Sequence, residues 1–203
     1  MSKIKIKDLD KKDYNKVIHF AIEGMNFEEY LKNKILLNAY GRYFWYLEYA
    51  NATQVIAAYE GDDLLGVLIA DMKGEPKPNK SFWKGLYVGF VGFMQRVFFR
   101  GGVIPYHEAN RAMYTKYAQR NTPDGEIRFL AANPDHKKKG IGTFLLHELA
   151  RREANKEIFL FTDTNCNYQF YEHRGFERVG EQEIVLELSA GVSLKCLLYR
   201  KRL

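Results

Sequence analysis

The hydrophobic period changes several times along this chain, and each change marks an element. Ile4-Lys5-Ile6-Lys7 alternates with period two and predicts a first strand. From Asp10 to Phe20 the pattern turns helical, with Tyr14, Val17, Ile18 and Ala21 on one face. Phe27 to Tyr49 predicts a longer helical region rich in Leu and aromatics, with Gly41 as its candidate break. Gln54–Tyr59 and Leu64–Asp71 read as strands joined by Glu60-Gly61-Asp62-Asp63, a hairpin signal. Lys73 to Lys80 is a polar loop with two prolines. Trp83, Leu86, Tyr87, Phe90, Phe93, Met94, Val97 and Phe98 then recur with helical spacing, so Phe82–Phe99 predicts an amphipathic helix. Another helix is expected from His107 to Ala118, ahead of the Asn121–Gly125 turn. Glu126–Ala132 reads as a central strand, Thr143–Ala154 as a helix and Ile158–Thr162 as the next strand. Glu177–Leu188 and Val192–Arg200 close the pattern as a hairpin around Ser189-Ala190-Gly191.

With 203 residues and no internal repeat, one domain spanning 1–203 is expected, with 82–120 as a helical insertion. A hydrophobic content of 46% and a charged content of 28% fit a soluble globular chain. The net charge of +6 permits contact with nucleic acid or an anionic membrane without establishing either. No RNA-binding Lys/Arg-Gly-Phe-Gly-Phe signature is present and the aromatics sit at core-like helical spacing, so no nucleic-acid partner is expected. The two cysteines, Cys166 and Cys196, lack metal-ligand spacing, and His107-Glu108 is followed by Arg111 where a zinc helix needs its second His. No metal is expected. The N-terminus has no signal-peptide core and no apolar run reaches the ~18 residues of a membrane span, so the expected location is cytoplasmic.

The stretch that carries chemistry runs from Leu130 to Leu149. It reads as a buried strand, a basic turn Lys137-Lys138-Lys139-Gly140-Ile141-Gly142, and a helix starting near Thr143. A helix N-terminus offers unpaired N–H groups and partial positive charge, which suits a phosphate. Gly140 and Gly142 would let the backbone approach such a group, and the three lysines would screen its charge. The spacing is neither that of a P-loop nor that of a dinucleotide fold.

What stands here is basic-x-x-Gly-x-Gly after Ala132-Asn133-Pro134. One helix and one strand later stands Phe170-Tyr171-Glu172-His173-Arg174-Gly175-Phe176. In order and separation the two motifs resemble the cofactor side of the GNAT (Gcn5-related N-acetyltransferase) superfamily. The likeness is close over Glu126–Gly180 and weaker from the N-terminus to Gly74. The family usually has Arg or Gln where this chain has Lys137, so only the backbone role of that position carries over.

The resemblance implies a fold class: α/β, a central mixed, mostly antiparallel sheet flanked by helices, here with an inserted amphipathic helix between the third and fourth strands. It implies acetyl-CoA as cosubstrate and direct transfer of the acetyl group to a primary amine on a small molecule or peptide. The pyrophosphate would lie on the turn Lys137, Lys138, Lys139, Gly140, Ile141, Gly142 and Thr143. The pantetheine would run along the backbone of Leu130, Ala131 and Ala132. Tyr171 matches the tyrosine that protonates the departing thiolate. Asn165 and Asn167 share two expected roles, capping the following short helix and bonding a pantetheine amide. The family's usual Asn position is Thr164 here, and spacing does not choose between the two. Glu126 is the candidate base, with a strand-end carboxylate as the plain alternative. Arg128, two residues on, should share its face, a position from which it could hold it ionised. The Phe82–Phe99 helix is expected to cover the acceptor side as a lid or to form a homodimer interface, with a membrane surface as the rival. A non-enzymatic acyl-CoA-binding module is the alternative for the whole chain.

Overall fold

A computed structural model describes residues 3–98, 100–136, 140–186 and 191–203; the side chains of residues 82, 84, 94–98, 100–103 and 192 lie outside the described set. Seven strands form one sheet in the order β1-β2-β3-β4-β5-β7-β6. They are β1 (Lys5–Lys7), β2 (Gln54–Glu60), β3 (Asp63–Met72), β4 (Gly125–Ala132), β5 (Glu157–Asp163), β6 (Glu177–Leu186) and β7 (Val192–Arg202). Every neighbouring pair is antiparallel except β4 and β5. The helices are α1 (Tyr14–Gly24), α2 (Phe27–Tyr30), α3 (Lys34–Asn51), α4 (Phe82–Phe98), α5 (Arg100–Ala118), α6 (Ile141–Arg152) and α7 (Gln169–Glu172).

Strand alternation sorts the core into layers. On one face Ala57, Tyr59, Val67 and Ile69 meet Val17, Phe20 and Ala21 of α1 and Trp45 of α3. On the other, Ile56, Ala58, Leu65 and Leu68 meet Leu145, Leu146 and Leu149 of α6. Ala109, Met113 and Tyr117 of α5 cover Phe159, Cys196 and Leu198, and so complete the first layer over the C-terminal half of the sheet.

Three expectations change. The long N-terminal helical region breaks at Leu31–Asn33, where Asn33 accepts from the N–H groups of Ile35 and Leu36 and caps α3. Gly41 lies inside α3, and a Cβ there would stand 2.8 Å from Ile22 Cγ1. Its smallness lets α3 seat on α1. The helix expected from His107 starts earlier, at Arg100, and carries Pro105 within it. The amphipathic helix forms between β3 and β4 as expected, and the described part of its stripe is exposed in the single chain. Trp83, Phe90 and Phe93 are 75%, 63% and 63% exposed. The hairpin tip at Ser189-Ala190 and Val97 of the stripe lie outside the described residues and side chains.

Candidate active site

One extra residue opens the sheet. β3 matches Ile69 with Phe129 and Ala70 with Ile127, which leaves Arg128 unmatched as a bulge in β4. A bulge bends its strand and sharpens the twist. The parallel pairing of β4 with β5 stops just before it, after Gly125 with Ile158 and Glu126 with Phe159. Beyond that point the two strands fork, and Leu130 to Ala132 have β3 as their ladder partner on one side alone.

Alternation decides which backbone groups face the opening. Asn133 N–H donates to Leu65 C=O at 2.7 Å, so this is a hydrogen-bonded pair. Two residues back, Ala131 likewise faces Val67 of β3, whereas Leu130 and Ala132 turn their N–H and C=O groups toward the fork. The side chain of Ala131 is buried against the α1–α3 layer, where a Cβ on Gly24 would come within 3.7 Å of it.

Glu126 stands at the apex of the fork. Arg128 Nη1 donates to its Oε2 at 3.0 Å, as the shared strand face requires. The same guanidinium also donates to Glu48 of α3, with Nε 2.5 Å from Oε2. One cation therefore serves two carboxylates, the buried Glu48 and the half-buried Glu126. Burial, opposed by Arg128 and helped by the Glu48 charge, pushes the Glu126 carboxyl up to about 7. Burial raises Glu48 as well. The expectation that Arg128 could hold Glu126 ionised is thus corrected. The ion pair is present, but desolvation outweighs it and leaves the carboxyl titrating near neutrality. Such a group can take a proton at neutral pH.

Tyr171 is placed by the end of α7. Phe176 N–H donates to Tyr171 C=O at 3.1 Å and Gly175 N–H to Glu172 C=O at 3.1 Å, with Gly175 at φ +73°. This is a Schellman cap, and its usual apolar contact is the Tyr171–Phe176 ring pair, 5.4 Å between centroids. The spacing Tyr-x-x-x-Gly-Phe is the sequence form of that cap. Burial raises the Tyr171 phenol well above its ordinary value, so it is protonated at neutral pH. Among the described residues its hydroxyl has no hydrogen-bond partner.

The turn before α6 divides in two. Lys137, Lys138 and Lys139 lie outside the described residues. Gly140 caps α6 at φ +92°, a conformation that glycine adopts freely. The first helical bond runs from Phe144 N–H to Gly140 C=O at 2.9 Å, so the amides of Ile141, Gly142 and Thr143 precede the ladder and can receive an anion. The side chains there have other work. Ile141 is buried against Gly66, and Gly142 is small because the Phe170 ring would lie 2.8 Å from a Cβ. Close approach at Gly142 is therefore to Phe170 in the first place. The Thr143 hydroxyl accepts from Arg174 Nε at 2.7 Å.

Neither Asn caps α7, whose N-cap is Tyr168 with no side-chain bond. Asn165 donates to the Tyr30 hydroxyl at 2.8 Å, and the exposed Asn167 accepts a backbone bond from Phe170 at 3.2 Å. Burial pushes the Cys166 thiol up to about 12, as befits a packed thiol. Two residues escaped the sequence reading. Glu48 was legible only as a lone acid in an apolar helical run, and Arg174 as a basic residue preceding Gly175. Arg174 lies 3.7 Å over the Phe170 ring and ties α7 to the first turn of α6.

A seven-stranded sheet forked between two parallel strands, with a helix N-terminus at the fork's open end, is the frame of a GNAT-type acyltransferase. The family model described as "Acetyltransferase (GNAT) domain" matches residues 51–178. The chain belongs to the GNAT family and is an N-acetyltransferase. No curated protein matches the sequence. Solved structures share the fold at low identity. One is a histone acetyltransferase HPA2 and related acetyltransferase from Corynebacterium glutamicum, 17% identical, TM-score 0.57, covering 100% of this chain and 97% of that one. Another is the paia N-acetyltransferase of Thermoplasma acidophilum in complex with coenzyme A, 12% identical, TM-score 0.52, covering 99% of each chain. A third is yncA of Salmonella typhimurium with acetyl-CoA, 13% identical, TM-score 0.52, covering 98% of this chain and 93% of that one.

Proposed function

We propose that this chain moves an acetyl group from acetyl-CoA directly to a primary amine at the β4–β5 fork. The observation that carries this reading is the position of Glu126, a carboxyl raised to about 7 at the point where β4 leaves β5. Glu126 takes a proton from the acceptor ammonium, through water, and so frees the nitrogen lone pair for attack on the thioester carbonyl. As the carbon–sulfur bond breaks, Tyr171 gives its proton to the thiolate, and the second proton shed by the nitrogen as the amide forms returns through water to the phenolate. Backbone groups of Leu130 and Ala132 hold the pantetheine like an added strand, and the amides of Ile141, Gly142 and Thr143 hold the pyrophosphate. The lysines 137–139 contribute charge nearby. The open backbone edge and the unladdered amides support that reading. Asn165 and Asn167, between β5 and α7, are the side chains assigned to its amides.

The test is a thiol-release screen with acetyl-CoA against amines, polyamines, aminoglycosides and peptide N-termini, using the wild type and Glu126→Gln. Turnover with one amine class, lost in the variant with acetyl-CoA binding retained, is expected. Tight acetyl-CoA binding with no turnover against any amine would favour the acyl-CoA-binding module instead.

A further inference from the structure

The outer face of α4 has no counterpart in the acetyl-transfer site. Trp83, Leu86, Phe90 and Phe93 fall within one quadrant of a helical wheel and are 59–75% exposed. One flank of α4, beside the stripe, is anchored: the Tyr87 hydroxyl donates to Ala39 C=O at 3.1 Å, and the Tyr87 ring meets Tyr46 edge-on at 5.7 Å between centroids. The helix thus holds its apolar stripe outward on a fixed base. A contiguous stripe of large apolar side chains on a surface marks an interaction site.

The charges decide what it meets. Residues 76–107 contain no Asp or Glu; Lys77 there is paired with Asp71, which leaves Lys80, Lys84, Arg96 and Arg100 as the segment's basic charge. Lys80 is exposed, and Lys32 and Lys34, beside the exposed Ile35 and Leu36 at the start of α3, add to the same sign. We infer that α4 docks this chain on an anionic lipid surface, with its Trp, Leu and Phe side chains at the level of the acyl boundary and the basic side chains among the headgroups. Apolar residues with Trp and Phe on one face and an unbroken run of basic charge are the features of a helix that lies in the interfacial plane. Among the described residues no helix is long and apolar enough to cross a membrane, so α4 would lie on the bilayer. A second copy of the chain is a poorer occupant. A two-fold contact through this stripe would set the same basic segment against itself, with no acid between Glu75 and Glu108 to offset it.

The experiment is co-sedimentation of the whole protein with phosphatidylcholine vesicles, with and without phosphatidylserine, alongside light scattering of the protein alone. Binding to the phosphatidylserine vesicles that weakens with salt is expected. Phe90→Asp combined with Phe93→Asp should lower the vesicle partition by more than about tenfold. Lys80→Glu combined with Lys84→Glu should lower it by about fivefold or more per charge. Both Phe positions are exposed, so the variants should fold, which circular dichroism checks. Val185→Asp, at another exposed apolar residue (57%), should leave binding unchanged. Absence of wild-type binding, or equal binding by the Phe90→Asp/Phe93→Asp variant, overturns the inference. So does a stable dimer that those two substitutions split, which would assign the face to a second copy.

Discussion

Replacing Glu126 by Gln keeps the shape of the side chain and its place beside Arg128 but removes the titrating proton. Each pH unit by which a pKa differs between folded and unfolded chain is worth about 1.4 kcal/mol. Carrying this carboxyl from its ordinary 4.5 to about 7 makes its ionisation about 3 kcal/mol harder in the folded protein. The sign follows from proton counting. Between pH 4.5 and about 7 the folded chain holds a proton that the unfolded chain has lost, so wild-type stability falls as pH rises through that window. Chemical denaturation of the wild type at a series of pH values should therefore show a steeper decline than Glu126→Gln, in which the raised Glu48 carboxyl still contributes. The variant should be the more stable of the two above about pH 7. Catalysis should move the other way. The ionised form is the base, so wild-type kcat/KM should rise tenfold per pH unit below about 7 and level off above it. Glu126→Gln should lose that limb and about 10²–10⁴-fold in rate, keeping only the limb set by the acceptor amine. A wild-type profile with no inflection near neutrality, or a variant with full activity and the same pH dependence of stability, would refute the reasoning.

Tyr171→Phe removes one hydroxyl from a well-packed ring. It should lower kcat by about 10²–10⁴-fold in steady-state assays while the KM for acetyl-CoA changes little. Gly142→Ala places a Cβ 2.8 Å from the Phe170 ring and should cost about 1–3 kcal/mol of stability by overpacking, read by thermal denaturation. Gly140→Val meets open space but needs φ +92°, so it should cost about 1–3 kcal/mol of stability through backbone strain and weaken acetyl-CoA binding in calorimetry.

Local patterns carried much of this molecule in the sequence. The order of strands and helices followed from period changes, and the C-terminal cap that orients Tyr171 is written in Tyr171, Gly175 and Phe176. The helix after the basic turn was legible too, though it starts at Ile141, two residues before the expected Thr143, with Gly140 as its cap. What was not legible depends on partners far away. The Arg128 bulge exists only in the match between β3 and β4, and no period reveals an extra residue in a strand that alternates on both sides of it. The raised carboxyl of Glu126 depends on Glu48, 78 residues earlier on α3, and on the burial that α3 imposes. Gly41 read as a helix breaker because propensity sees the missing Cβ and not the Ile22 side chain that fills the space. One of Asn165 and Asn167 was expected to cap α7 by residue type, yet Tyr30, on another helix, holds the first, and the α7 N-cap falls at Tyr168.

The central claim is that the cosubstrate pairs with the open edge of β4, and amide hydrogen exchange resolved by residue tests it most directly. Without acetyl-CoA, Ala131 N–H should already be protected by β3, whereas Leu130 and Ala132 N–H should exchange faster. Adding acetyl-CoA should slow exchange at Leu130 and Ala132, and at Ile141 to Thr143, and leave Ala131 as it was. Acetyl-CoA binding that protects other amides and leaves Leu130 and Ala132 unchanged would contradict the account.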